Sequence, residues 1–385
     1  MNVIVSSKKY DRPLLILTLL LLIVGTIMVF SASTNISMEK YGNGTYFFWK
    51  HALRVIIGLA VLLGAMKMDY RHLRKAAVPL IIGAIALLII TKLSYVLRGI
   101  DAPARWLSLG PFSLQTSDIA RFAVIVYLAA YIDRKRNQLS SFTYGFLPPI
   151  VLIGIIMALI IIQPDFSTAF VIGVLTFVML FLGGAKASHL VGTVLVACAI
   201  LIPVLFLAEY RVYRLTSFGD FSTSLVGKNY QLQQSLIALG NGGITGVGLG
   251  ESIGKNLFLP APHTDFILSI IGEELGFLGV FVVITLFLGL FQRVITISKG
   301  CTDIFGVLLG LGFSVKIILY AFINAAVASG LLPTTGLPVP FISFGGTGLV
   351  INLMTVGILL NISMAKRRAR TPKTSGILLA LCIGE

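Results

Sequence analysis

Apolar positions in this chain come in long blocks, not in the alternating or every-third-and-fourth patterns of half-buried soluble elements. Ten runs stand out, at about 14–30, 51–66, 76–91, 117–132, 147–162, 167–182, 189–207, 266–291, 304–329 and 337–363. A helix crosses the hydrocarbon core with ~20 apolar residues, and with fewer where neighbouring helices shield it. Lipid offers no hydrogen bonds, so each run must satisfy its own backbone, which makes it a helix. The pattern predicts an all-α polytopic membrane protein of about ten transmembrane helices. The first run ends at Ser31-Ala32-Ser33, a small-residue pattern like a cleavage site, but it is long for a signal peptide and is read as a retained span.

The polar residues between the runs set the orientation. Lys8, Lys9 and Arg12 precede the first run; Lys67, Arg71, Arg74 and Lys75 follow the second; Arg134, Lys135 and Arg136 follow the fourth. Lys186 follows the sixth, Arg293 and Lys299 the eighth, and Lys366, Arg367, Arg368, Arg370 and Lys373 the tenth. Ten spans thread all of them to one side, which the positive-inside bias makes the cytoplasm. Both termini are then cytoplasmic, residues 1–365 form one transmembrane domain, and 366–385 are a basic cytoplasmic tail. The longest connection, residues 208–265 between spans seven and eight, falls on the outer side. Structured connections of that length are uncommon unless they are functional.

Composition excludes a soluble reading. Of the 385 residues 57% are hydrophobic and 12% charged, whereas a soluble domain needs about 25% charged residues to cover itself. The net charge of +15 does not point to nucleic acid, because the basic residues cap apolar runs and form no stripe interleaved with aromatics. Cys198, Cys301 and Cys382 have neither disulfide nor metal-ligand spacing, and the four histidines are scattered, so no metal-ligand set is assigned.

Several polar constellations interrupt the apolar pattern. Asp118 and Arg121 lie three apart on one face near the outer end of span four, where they can pair. They either lock helix packing or line a cavity. Gln163-Pro164-Asp165-Phe166 is a sharp turn whose Asp165 is read as the cap of the next helix. Glu273 and Glu274 enter span eight, either in a buried structural pair with Lys316, the only cation of span nine, or as a proton relay. The glycine-rich stretch at 240–250 lacks the strand and the Gly-Lys-Ser/Thr of a nucleotide loop and is read as tight turns. Pro260-Ala261-Pro262-His263-Thr264-Asp265 puts a carboxylate where the chain enters span eight, either as a helix cap or as a rigidly held functional acid. Residues 333–346 are dense in Pro and Gly, and such irregular backbone at membrane depth must be buried in protein or line a cavity.

At these motifs the sequence resembles the shape, elongation, division and sporulation (SEDS) family, the FtsW/RodA proteins of bacterial cell-wall synthesis. The resemblance runs from about Arg12 to Lys366. Its strongest blocks are Ala104-Arg105-Trp106-Leu107-Ser108-Leu109-Gly110-Pro111, Gln163–Phe166, Pro260–Asp265 with Glu273-Glu274-Leu275-Gly276, and Pro333–Gly346. It implies polymerisation of lipid II into glycan strands on the outer membrane face, with Asp265 matching the family's essential acid. The family's Gln-Pro-Ser-Glu-Leu-Ala-Lys stretch corresponds to Gln115-Thr116-Ser117-Asp118-Ile119-Ala120-Arg121, in which charge signs survive but reach and geometry change. Gly246–Gly250 followed by Leu257–Pro260 is similar to the division branch, whereas Thr335 stands where division members often have Lys.

The resemblance also implies the surroundings of the acid. Arg105, Trp106, Asp118, Arg121, Arg214, Lys255, His263, Thr264 and Ser343 are expected to bind substrate or line the cavity. Arg105, Arg211, Arg214 and Lys255 are the outer-side candidate cations for a diphosphate, alone or together with a divalent cation (Mg or Mn). Asp165, Glu273, Glu274 and Lys316 are expected to be structural. Expected partners are lipid II, the nascent glycan strand, a class B penicillin-binding protein (transpeptidase) and other divisome or elongasome membrane proteins, in the bacterial cytoplasmic (inner) membrane. The competing functions are a lipid II flippase and a non-catalytic scaffold for the transpeptidase.

Overall fold

The computed structural model describes residues 10–98, 105–109, 112–206 and 230–365. The chain runs α1 (Arg12–Tyr41), α2 (Tyr46–Lys67), α3 (Arg71–Arg98), β1 (Trp106–Leu109), β2 (Phe112–Gln115), α4 (Thr116–Lys135), α5 (Leu147–Ile162), α6 (Phe166–Leu182), α7 (Ala187–Phe206), α8 (Tyr230–Gly242), α9 (Ile267–Lys299), α10 (Ile304–Ala328) and α11 (Thr347–Ala365). Every apolar run expected to span carries a helix, and all but α8 of the helices occupy those runs. Among the described residues seven segments are long and apolar enough to cross a membrane, while Phe166–Leu182 and Ala187–Ile200 are apolar but shorter. The protein is a multi-pass, all-α membrane protein. Parts of the outer connection (208–229) and the tail (366–385) lie outside the described residues.

Three elements differ from the expected pattern. The tenth run does not become helical until Thr347, so residues 337–346 are apolar without being helix. Residues 339–343 of this stretch are buried, and Phe341 and Ile342 meet α1 where Gly25 makes room: a Cβ there would lie 2.5 Å from the Phe341 carbonyl oxygen. The eighth run is longer than expected and is broken at Gly276, whose φ of 68° only glycine adopts without strain. The outer loop fills that break. Val247 and Gly248 donate to the carbonyls of Glu273 and Glu274, and Phe277 and Leu278 donate to those of Gly243 and Ile244. The amides of a glycine-rich loop are thus spent on a broken helix. Thirdly, α8 is a helix that the polar composition of the outer connection concealed. It buries Leu232, Ser235, Ala238 and Gly242, one face at helical spacing.

The inner ends are tied by polar contacts. Arg293 grips Asp11 through two nitrogens, at 2.7 Å from Nη2 and 2.8 Å from Nε. Arg74 pairs with Asp133 at 2.6 Å, and Asn361 bridges Tyr70 and Met66 across the α2–α3 turn. At the outer end the β1–β2 hairpin folds against α11, with Gln115 donating its backbone N–H to Thr347 Oγ1 at 3.1 Å. This leaves the polar motifs of the sequence gathered at the outer end of α9, α10 and α11.

Candidate functional site

Asp265 lies in the turn that leads into α9, partly exposed. The helix starts at Ile267 with Phe266 in the capping position, so Asp265 sits one residue outside it. Its backbone is held from two sides. Asn324 Nδ2, from the outer end of α10, donates to the Asp265 carbonyl at 2.7 Å and to the Leu337 carbonyl at 2.8 Å. Ser343 Oγ donates to the Thr264 carbonyl at 2.6 Å and accepts from Val339 N–H at 2.8 Å, while Phe344 N–H reaches the His263 carbonyl at 2.8 Å. A Cβ at Gly336 would lie 3.6 Å from Asp265 Oδ2, which places the carboxylate over that turn. The 260–265 and 333–346 motifs are therefore one construction, laced together by backbone bonds. Ala261 and Phe341 each adopt a positive φ (52° and 66°), a conformation that costs a side-chain-bearing residue about 1–3 kcal/mol. The surrounding bonds hold both strained turns in place beside the acid.

His263 is wedged between the rings of Phe47 (4.9 Å between centroids) and Phe344 (5.4 Å). Burial, helped by the positive charge of Lys40, holds its imidazole down to about 4 from an ordinary 6.5. Between those values the unfolded chain binds the proton and the folded one does not, so stability falls as pH drops through that window. The expected loss from this group between pH 7 and 5 is about 2 kcal/mol. His263→Phe keeps the ring stack and removes the proton site. Its thermal unfolding should be less acid-sensitive than wild type over that range; equal sensitivity would refute the assignment.

Behind the acid, the carboxylates of α9 anchor the outer loop. Glu273 accepts from Ser252 Oγ, from Gly254 N–H at 3.1 Å and from Ile253 N–H at 3.2 Å. Glu274 pairs with Lys255 Nζ at 3.1 Å and accepts from Ser31 Oγ of α1 at 2.6 Å. Lys255, expected as a diphosphate cation, is itself buried here and also bonded to Ser31 and the Gly250 carbonyl. The expected Glu–Lys pair exists, but its lysine is Lys255. Lys316 instead donates to Asn352 Oδ1 of α11 at 2.6 Å.

Below the start of α11 lies a buried charge pair. Asp118 and Arg121 of α4 bond each other, and the Arg121 guanidinium stacks over the Tyr320 ring at 4.4 Å. A Cβ at Gly348 would stand 2.9 Å from Asp118 Oδ2, so the first turn of α11 rests on this pair. Asp165 caps α6 as expected, accepting from Thr168 N–H at 3.3 Å. Arg105 is drawn to that same turn, bonding the Pro164 carbonyl and lying 3.9 Å from Asp165. Its neighbour Trp106 faces the start of α11.

The structure brings Asp265, Thr264, His263 and Ser343 together, and Trp106 stands near the same segment. It assigns Arg105 and Lys255 to carboxylates, and Arg211 and Arg214 lie outside the described residues. Asn324 and Arg54, whose side chains grip the acid's segment and its continuation, were not singled out from sequence. An amide in an apolar span was the signal for Asn324, since polar groups at that depth need a partner. Among the described residues no three His, Cys, Asp or Glu side chains converge on a point.

The FtsW/RodA/SpoVE family profile, described as a cell cycle protein, matches residues 12–368. A Geobacter metallireducens protein named probable peptidoglycan glycosyltransferase FtsW is 37% identical over 356 residues, covering 92% of this chain and 95% of its own length. A Legionella pneumophila protein of the same name is 37% identical over 361 residues, covering 93% of this chain and 92% of its own length. Among solved structures, a chain from a peptidoglycan synthase complex matches with a TM-score of 0.74 at 24% identity, over 94% of this chain and 99% of that one. Thermus thermophilus rod shape determining protein RodA matches with a TM-score of 0.68 at 23% identity, over 94% of this chain and 98% of that one. The two structural matches establish a shared fold.

Proposed function

The chain belongs to the FtsW/RodA/SpoVE family and, like its named relatives, is a peptidoglycan glycosyltransferase of the division type; from that premise we propose how it acts. The donor is lipid II, whose anomeric carbon carries an undecaprenyl diphosphate. Asp265 accepts the proton of the acceptor GlcNAc 4-hydroxyl as that oxygen attacks C1 of the donor MurNAc. The C1–O bond to the diphosphate breaks, the diphosphate leaves with the electron pair, and the configuration at C1 inverts. A glycosidase needs a second carboxyl to protonate a poor leaving group. A diphosphate needs charge stabilisation instead, so one carboxylate suffices.

The observation that carries this reading is the double clamp on Asp265. Asn324 and Ser343 fix its segment through backbone carbonyls and leave the carboxylate over the Gly336 turn. Holding a base within a few tenths of an ångström is what general-base catalysis requires. The positive-inside bias of the basic loops supports putting this end of the bundle on the outer face of the bacterial inner membrane. A class B transpeptidase that crosslinks the emerging strand is the partner class this product calls for.

Purified full-length protein incubated with fluorescent lipid II should produce a ladder of glycan strands, more strongly with the transpeptidase present. Transbilayer movement of lipid II in vesicles without any ladder would favour the flippase reading instead.

A further inference from the structure

At the end of the bundle opposite Asp265, four cations share one surface with two exposed aromatic rings. Arg134, Lys135 and Arg136 lie at the end of α4, and Lys186 lies in the turn between α6 and α7. No Asp or Glu occurs in residues 134–146 or 183–189. Arg136 and Lys186 are exposed, and among the described residues neither has an ion-pair partner. Phe142 and Tyr144, just ahead of α5, are 48% and 76% exposed.

Tertiary packing joins these segments. A Cβ at Gly183 would lie 2.7 Å from Ile132 Cγ2, so the α6–α7 turn rests on the last turn of α4. His189, in the first turn of α7, meets the rings of Phe142 and Phe146, each at 5.4 Å between centroids. Between α4 and α5 the chain is folded down on itself. Gly145 has no room for a Cβ against the Gln138 carbonyl, Tyr131 Oη donates to the Gly145 carbonyl at 2.9 Å, and Leu139 is fully buried. Membrane orientation asks only for an excess of positive charge on this side. It does not ask for a packed loop that turns two rings outward beside the charges.

The rings indicate what covers this surface. Phe142–Ile162 is one of the segments apolar enough to cross a membrane, and it carries exposed Val151 and Ile155 further along. Phe142 and Tyr144 stand at its very start, the depth at which aromatic side chains sit in the headgroup layer. We propose that Arg136 and Lys186, with Phe142 and Tyr144, bind the headgroup of an anionic phospholipid in the leaflet on this side. The guanidinium and the ammonium donate to phosphate oxygens, and the rings lie against the glycerol and the upper acyl chains. Basic pockets between spanning helices on the cytoplasmic side bind such headgroups. An acidic protein would match the charges as well, but it would have no use for exposed rings at membrane depth.

The test uses the full-length protein in phosphatidylcholine nanodiscs, alone or with phosphatidylglycerol or cardiolipin as the anionic probe. Either anionic lipid should raise the unfolding temperature, because a ligand bound only by the folded state stabilises it. Anionic lipid retained through detergent purification, counted by native mass spectrometry, reports the affinity directly. One cation beside an anionic surface is worth roughly a fivefold change in binding, so Arg136→Gln/Lys186→Gln should weaken retention of both lipids about 25-fold. In pure phosphatidylcholine the same variant should unfold at the wild-type temperature, since both side chains are exposed. Tyr144→Ser keeps the charges, removes an exposed ring and should also weaken retention severalfold. Lys67→Gln/Lys299→Gln takes the same charge from the same side of the bundle, away from this surface, and should leave retention unchanged. Equal losses in the two double variants would overturn the site in favour of bulk charge. Wild-type retention in Arg136→Gln/Lys186→Gln would overturn it outright. Wild-type retention in Tyr144→Ser would overturn the choice of a lipid over an acidic protein.

Discussion

Asp265→Asn should yield a folded, lipid II-binding protein whose polymerisation rate has fallen about 10²–10⁴-fold, the usual worth of a general base. The geometry makes this a clean substitution. Asn324 holds residue 265 by its backbone carbonyl, a bond that is indifferent to the side chain. The cap position of α9 belongs to Phe266, so exchanging a carboxylate for an amide of equal size removes no cap. A neutral amide cannot take up a proton, and catalysis alone should suffer. Glycan length on gels, thermal unfolding and lipid II binding must be read together. Polymerisation near the wild-type rate would sink the catalytic assignment, whatever the family resemblance. Loss of folding would make the residue structural.

The helices were legible in the sequence because a bilayer leaves the backbone no alternative. An apolar run of sufficient length must hydrogen-bond internally wherever it touches lipid. The same reasoning shows why it misplaced the start of α11. Residues 337–346 are apolar enough to read as span, but 339–343 are buried in protein, with Phe341 and Ile342 on α1 at Gly25, and buried irregular backbone obeys protein rules. The break at Gly276 escaped for a related reason: hydropathy reports environment, while the partner that satisfies the opened backbone is a loop 30 residues earlier. At the site, the acid and the two motifs around it were visible as polar or irregular segments. Which cation meets which carboxylate was not. Glu274 had a lysine available in an adjacent helix, Lys316, and another in the loop, Lys255, and only tertiary packing chooses between them. Arg54 was invisible because a basic residue near a helix end reads as an orientation signal, and nothing in the sequence says that the Phe344 ring and the Gly345 carbonyl will meet it.

Arg121→Ala should cost about 3–5 kcal/mol of stability, the usual penalty for stranding one member of a buried ion pair. Asp118 is 8% exposed and Arg121 3%, so solvent cannot take over the lost interaction. The substitution also removes the stack on Tyr320, itself 4% exposed, and leaves a hole beneath the first turn of α11. Lys316 cannot step in freely, since its ammonium already serves Asn352. Unfolding in detergent should therefore shift to clearly lower temperature, and a shift too small to measure would show the pair to be dispensable. The companion Asp118→Asn/Arg121→Ala should regain much of the stability, because a neutral amide is far cheaper to bury than a lone carboxylate. That double variant also decides what the pair is for. If polymerisation returns along with the fold, the pair only locks α4 beneath α11. If the fold returns and polymerisation does not, the charges themselves act on the substrate, and the pair lines the cavity that Asp265 serves.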